Sequence, residues 1–182
     1  MNLTQYKKTI RSLSRDELEA HLFEMFKSSK TFKDIESSYW SKESNEELVA
    51  GLQKRLDKVF WKNHFSMGEC KGVLSDYLGR TVDEGTKALM HLAYAAEAVK
   101  LSAAFGDYGE SFYNSLESSA EKFLHYAQQH PDFFSLHEEE FERIILTAEP
   151  LGYGVSEDLE DMLVDVRAEL GYYDDFGEED EG

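Results

Sequence analysis

The stretch ALMHLAYAAEAVKLSAAF, Ala88 to Phe105, decides how the rest of the chain is read. Its acids and bases are Glu97 and Lys100 alone, in eighteen residues. Leu89, Leu92, Ala93, Ala96 and Val99 fall on one helical stripe. Ala95, Ala98, Leu101 and Ala103 occupy other faces. A helix apolar all round needs neighbours all round. The stretch is too polar and too rich in small residues for a membrane span. The pattern predicts a buried, alanine-rich central helix, opened near Asp83 and closed by Gly106.

Helical signals continue on both sides. Ser14 with Glu17, and Ser44 with Glu47, are capping boxes. The first precedes Leu18, Leu22, Phe23, Met25 and Phe26; the second precedes Leu48, Leu52, Leu56, Val59 and Phe60. Thr4 is a candidate cap for a short helix holding Tyr6 and Ile10. Phe32, Ile35 and Tyr39 suggest another, ending near Trp40. Val73, Leu74, Tyr77 and Leu78 predict a helix over 67–78, stopped by Gly79. Beyond Gly106-Asp107-Tyr108-Gly109, a helix starting near Glu110 carries Phe112, Leu116, Ala120, Phe123 and Leu124, with Asp107 or Ser111 as its expected cap. Pro131 stands where a helix favours proline. Ser156 is the expected cap of a last helix with Leu159, Leu163, Val166 and Leu170 inward, stopped by Gly171. No alternating run of strand length competes. The expectation is all-α: one compact domain, residues 1–171, of about seven to nine helices, followed by an acidic tail, 172–182.

The totals agree. A chain of 182 residues that is 41% apolar, with 22 Phe and Tyr, has material for a core despite 31% charged residues. Two prolines suit long helices. The net charge of −18 is unevenly spread. Residues 1–33 hold seven bases and four acids, and residues 149–182 hold thirteen acids and one base. This balance disfavours non-specific binding to nucleic acid or anionic membrane and suits a soluble protein with a basic partner, or simply a soluble protein. The single cysteine, Cys70, excludes an internal disulfide and suits a reducing cytoplasm. The first thirty residues carry charge throughout, with no apolar segment of the signal-peptide kind.

The stretch GDYGESFYNSLESSAEKFL, from Gly106, resembles the central signature of an uncharacterised bacterial family of small helical proteins, a domain of unknown function. Leu13-Ser14-Arg15-Asp16-Glu17-Leu18 is similar to that family's opening segment. Gly152-Tyr153-Gly154 is similar to its closing glycine–aromatic–glycine turn before an acidic helix. The resemblance spans most of residues 3–168 and is most specific from Phe112 to Glu117. It implies a helical fold and a bacterial, cytoplasmic origin, and no activity.

The polar residues of the signature form one candidate site. Tyr113 and Glu117, four apart, share a helical face. With Asp107, Asn114 and Tyr153 they are candidates for a binding pocket at the two glycine turns, against the plainer expectation of a junction that satisfies exposed backbone groups. A second candidate is the acidic C-terminal third. Glu157, Asp161 and Asp165 recur every fourth residue, about 6 Å apart along a helix, near the spacing of phosphates on a nucleic-acid strand. With tail residues such as Asp174 and Asp175 they would form an acidic interaction face.

Catalytic chemistry finds little footing. No catalytic residue, cofactor or metal site is expected. No Glu-x-x-His spacing of the di-metal bundle type occurs, and one cysteine leaves a structural zinc site short of ligands. Glu139 with Glu142 and Glu157 with Glu160 resemble the magnesium-holding pairs of all-α nucleotide pyrophosphohydrolases, but such pairs are ordinary in a chain this acidic. No serine elbow or phosphate loop occurs. The first expectation is a non-enzymatic helical protein-interaction module. The alternatives are an acidic inhibitor that mimics nucleic acid, resembling small anti-CRISPR proteins in size and charge, and a metal-dependent all-α enzyme.

Overall fold

The computed structural model describes residues 2–40 and 44–172. Among them lie nine α-helices and no strand. None of these helices is long and apolar enough to cross a membrane. The tail acids Asp174 and Asp175, and the side chains of Ile35 and Tyr39, lie outside what is described.

The chain divides into two compact units, Met1–Lys42 and Glu43–Gly182. The first holds α1 (Leu3–Ser12), α2 (Arg15–Ser28) and α3 (Lys30–Trp40). The second holds α4 (Asn45–Phe60), α5 (Met67–Leu78), α6 (Glu84–Phe105), α7 (Glu110–Gln128), α8 (Pro131–Ala148) and α9 (Val155–Leu170). The sequence pattern marks a boundary at the tail; the structure adds one at 42/43. Charge also divides there: eight bases and six acids before it, eleven bases and thirty-one acids after it.

Local chemistry explains most helix ends. Ser14 and Ser44 accept from the backbone of Glu17 and Glu47, whose carboxylates return the bond. Asp83 caps α6 through Thr86 N. Asn2, paired with Gln5, caps α1 in place of Thr4. Two other expected caps differ. α7 and α9 start from Gly109 and Gly154, at φ 83° and 72°, with no side-chain cap bond. Asp107 Oδ1 instead accepts from Gly109 N at 2.6 Å, folding the turn itself. Ser156 Oγ donates back to Ile145 O at 3.3 Å.

In the second unit α6 packs against α4, α5, α7 and α8. Met90, Leu92, Tyr94, Ala95 and Val99 are buried on different faces. Alanines let neighbouring backbones approach on several sides at once. Two parts of the helix depart from expectation: Leu89 and Ala96 of the expected stripe are only half-buried, and Ala103, Ala104 and Phe105 of the last turn are exposed. Phe105 lies edge-on to Trp61 at 5.6 Å. Glu97, the helix's one acid beyond its first turn, is held by Lys100 Nζ at 2.7 Å and by Trp61 Nε1 at 3.4 Å.

The first unit is built differently. α2 packs against α3, yet no residue of α2 is buried. About forty residues rarely build a core alone.

Leu92 is the direct check on the buried helix. Leu92→Ala should cost about 2–5 kcal/mol by leaving a cavity. Leu92→Asp should leave no cooperative unfolding transition in urea, because it puts an unpaired charge in the core. A Leu92→Asp chain melting at the wild-type midpoint would contradict the placement of α6.

Candidate functional site

The two glycine turns meet. The Tyr113 ring lies 5.2 Å from that of Tyr153. Ser102 Oγ donates to Gly106 O at 3.0 Å and so accepts from the Tyr113 hydroxyl at 2.9 Å. Gly106, Asp107, Tyr113 and Gly152 line a small cavity there, about 140 Å³. Tyr153 is the one non-glycine residue with positive φ among those described, 66°. The charge of Asp107 beside its hydroxyl, and a hydrogen bond between them, raise the Tyr153 pKa. Tyr113 is buried and Tyr153 exposed. This junction is small, and its phenols are held by groups of the junction itself.

The other two candidates from the signature leave this cavity. Glu117 is half-buried; loss of solvent and then the charge of Asp158 on α9 raise its pKa. Asn114 is exposed and turns into a separate groove. The five proposed binding residues therefore occupy three places. The acidic face is more even: Glu157, Asp161 and Asp165 are all exposed on α9. Beside them Arg167 reaches across to Glu138 and Glu142 of α8.

The groove that takes Asn114 runs between α5 and α7 over α6, with a volume of about 440 Å³. Lys71 stands on α5, and Ser111, Ser118 and Lys122 follow Asn114's face of α7. Tyr94 and His91 of α6 form the floor. The Tyr94 hydroxyl lies 3.2 Å from Ser115 Oγ, and His91 Nδ1 lies 3.4 Å from Ser119 Oγ. Burial, then the charge of Lys122, lowers the His91 pKa to about 4. His91 and Lys122 also line a broader cleft of about 1010 Å³ with Glu84, Lys87, Glu121 and His125. Sequence reasoning passed over this groove. The spacing Ser111, Ser115, Ser118 was a visible polar stripe, but its partner Lys71 comes from another helix.

A further surface lies on the first unit. Leu22, Phe23, Phe26 and Phe32 line a groove of about 490 Å³, with Glu19 and Glu36 at its sides. Leu22 is 44% exposed, Phe23 65% and Phe26 42%. Lys33 Nζ lies 5.8 Å from the Phe26 ring centre.

Reactive groups are sparse. Burial, helped by the charge of Glu69, pushes the Cys70 thiol up to about 12, so no thiolate forms near neutral pH. No three His, Cys, Asp or Glu side chains among the described residues are grouped as metal ligands.

His91 supplies a pH signature. Its folded-state pKa lies below the ordinary value, so the unfolded chain binds the proton more readily. Above about pH 6.5 both states are neutral and His91 is silent. As pH falls from about 6.5 towards 4 the native state loses stability, by about 3 kcal/mol at the point where the folded His91 itself begins to take up the proton. Thermal melts of wild type and His91→Asn between pH 7 and 4 read this as a difference, which cancels the carboxylates common to both. Parallel curves would contradict a buried neutral imidazole.

No protein-family model, curated protein or solved structure matches this chain, so its own geometry carries the functional reading.

Proposed function

We propose that this is a non-enzymatic, all-helical protein-interaction module. The observation that carries the reading is α2, a helix of 14 residues with no buried residue and three large apolar side chains in the open. Apolar groups clustered in this way mark a surface that a partner covers. The groove of Leu22, Phe23, Phe26 and Phe32 suits an amphipathic helix, whose apolar stripe would enter between α2 and α3. Among the described residues Glu19 and Glu36 line its sides and no base does, although Lys33 stands over the Phe26 ring. The partner we assign is therefore a basic amphipathic helix, its cations meeting Glu19 and Glu36 at the groove sides; the attraction is local, since the first unit itself carries eight bases and six acids. The buried lone Cys70 supports a cytoplasmic setting, and the family resemblance supports a bacterial one.

A second reading, an acidic mimic of nucleic acid, is supported by the exposed row of Glu157, Asp161 and Asp165. It too would take a basic partner, through α9 instead of α2.

A labelled Leu/Lys amphipathic peptide tests the first reading by fluorescence anisotropy against the full chain. Saturable binding is expected, weakened about ten-fold or more by Phe23→Asp. Gln at positions 157, 161 and 165 should leave that binding within about two-fold, apart from a general salt-sensitive loss. Equal binding of a Leu/Glu peptide would contradict the charge assignment. Loss on the α9 substitutions alone would favour the mimic. A wild-type dimer that Phe23→Asp dissolves in sedimentation would give the groove to a second copy of the chain.

A further inference from the structure

We propose that the groove between α5 and α7 binds a small phosphorylated, hydroxyl-bearing molecule. This goes beyond the protein-interaction reading and stands on another unit. The second unit holds thirty-one acids against eleven bases, yet among the described residues no carboxylate lines this groove, and two lysines do. Most cations of this unit are occupied: Lys62, Lys87, Lys100, Arg143 and Arg167 meet carboxylates, and Arg80 lies on Tyr77. Lys71 and Lys122, like Lys54, Arg55 and Lys58, form no ion pair among the described residues, and of these five only Lys71 and Lys122 line the groove. Two unpaired ammonium groups on facing helices make a local positive field in an acidic molecule.

The neutral lining narrows the ligand further. Ser111, Asn114 and Ser118 face the groove with no side-chain hydrogen-bond partner among the described residues, so their donors and acceptors are available for ligand hydroxyls. Ser115 and Ser119 are already engaged with Tyr94 and His91, which holds the floor in place. The volume of about 440 Å³ falls within the range of small-molecule sites. Ammonium groups bind phosphate as point charges, while the planar fork that grips a carboxylate belongs to arginine, and no arginine lines the groove. The class is thus a sugar- or polyol-phosphate, with its phosphate between Lys71 and Lys122 and its hydroxyls along α7.

The test is titration of the nitrogen-15-labelled full chain with glucose 6-phosphate, followed by amide shifts. Saturable shifts are expected at Lys71, Asn114, Ser118 and Lys122. Glucose should produce none there, and inorganic phosphate weaker ones. The double variant Lys71→Gln, Lys122→Gln should weaken binding about ten-fold or more with its melting temperature unchanged, since both side chains are exposed. Asn114→Ala gives a second, charge-neutral variant and should weaken glucose 6-phosphate more than inorganic phosphate. Phe23→Asp should have no effect, which separates this site from the interaction groove. Gluconate binding as tightly as glucose 6-phosphate would overturn the phosphate assignment. Non-saturable shifts, or equal affinity in the lysine variant, would overturn the site.

Discussion

Removal of α6 from water on nearly every side is the constraint on which the second unit depends. Leu92, Tyr94, Ala95 and Val99 point in different directions and are all buried, so helices must stand on all of those sides. Hydrophobic burial has no direction of its own, and small side chains turn it into close helix contacts. Once α4, α5, α7 and α8 are placed around α6, the groove between α5 and α7 follows as the gap over its floor. Polar groups facing that gap are then near Lys71 by topology and not by local sequence. His91 sits where core meets groove, which is why an imidazole on the central helix stays neutral.

Charge is arranged around that core. The unit carries a large acidic excess at its surface, where solvent screens it within about 8–10 Å. Few acids come close to the core. Glu97 does so with Lys100 and Trp61 as partners, and Glu117 does so with its pKa raised. Against this background the cationic groove and the apolar hairpin are the two departures from an ordinary acidic surface. They lie on different units, so they can act separately and be tested separately.

The fold was largely legible because its signals are local. Ser14 with Glu17 and Ser44 with Glu47 specify helix starts through bonds within one turn, Pro131 through its fixed φ at the first helical position, and Gly171 through its left-handed backbone at a stop. The spread of apolar residues around Ala88–Phe105 announced burial. Misreadings came where a backbone bond replaced a side-chain cap: glycines at positive φ start α7 and α9, leaving Asp107 and Ser156 free for other partners. The meeting of Tyr113 with Tyr153 was anticipated from shared glycine and polar content. The separation of Asn114 from them was not, because consecutive helical residues point about 100° apart and only the packed neighbours decide which cavity each one enters. The openness of α2 was equally invisible. Leu18, Leu22, Phe23, Met25 and Phe26 recur at helical spacing, and a sequence does not show whether another element arrives to cover them.

Native-state hydrogen exchange on the full chain tests the central claim most directly: the molecule has one strong core, on α6, and an N-terminal hairpin that lacks one. Amides of α6 from Met90 to Val99 should exchange only through global unfolding, with the slowest rates in the chain. Amides of α2 and α3 should exchange by local opening at rates several orders of magnitude faster. Protection of Leu22 to Phe26 equal to that of α6 would contradict the account, because it would mean that this apolar face is already covered in the isolated protein.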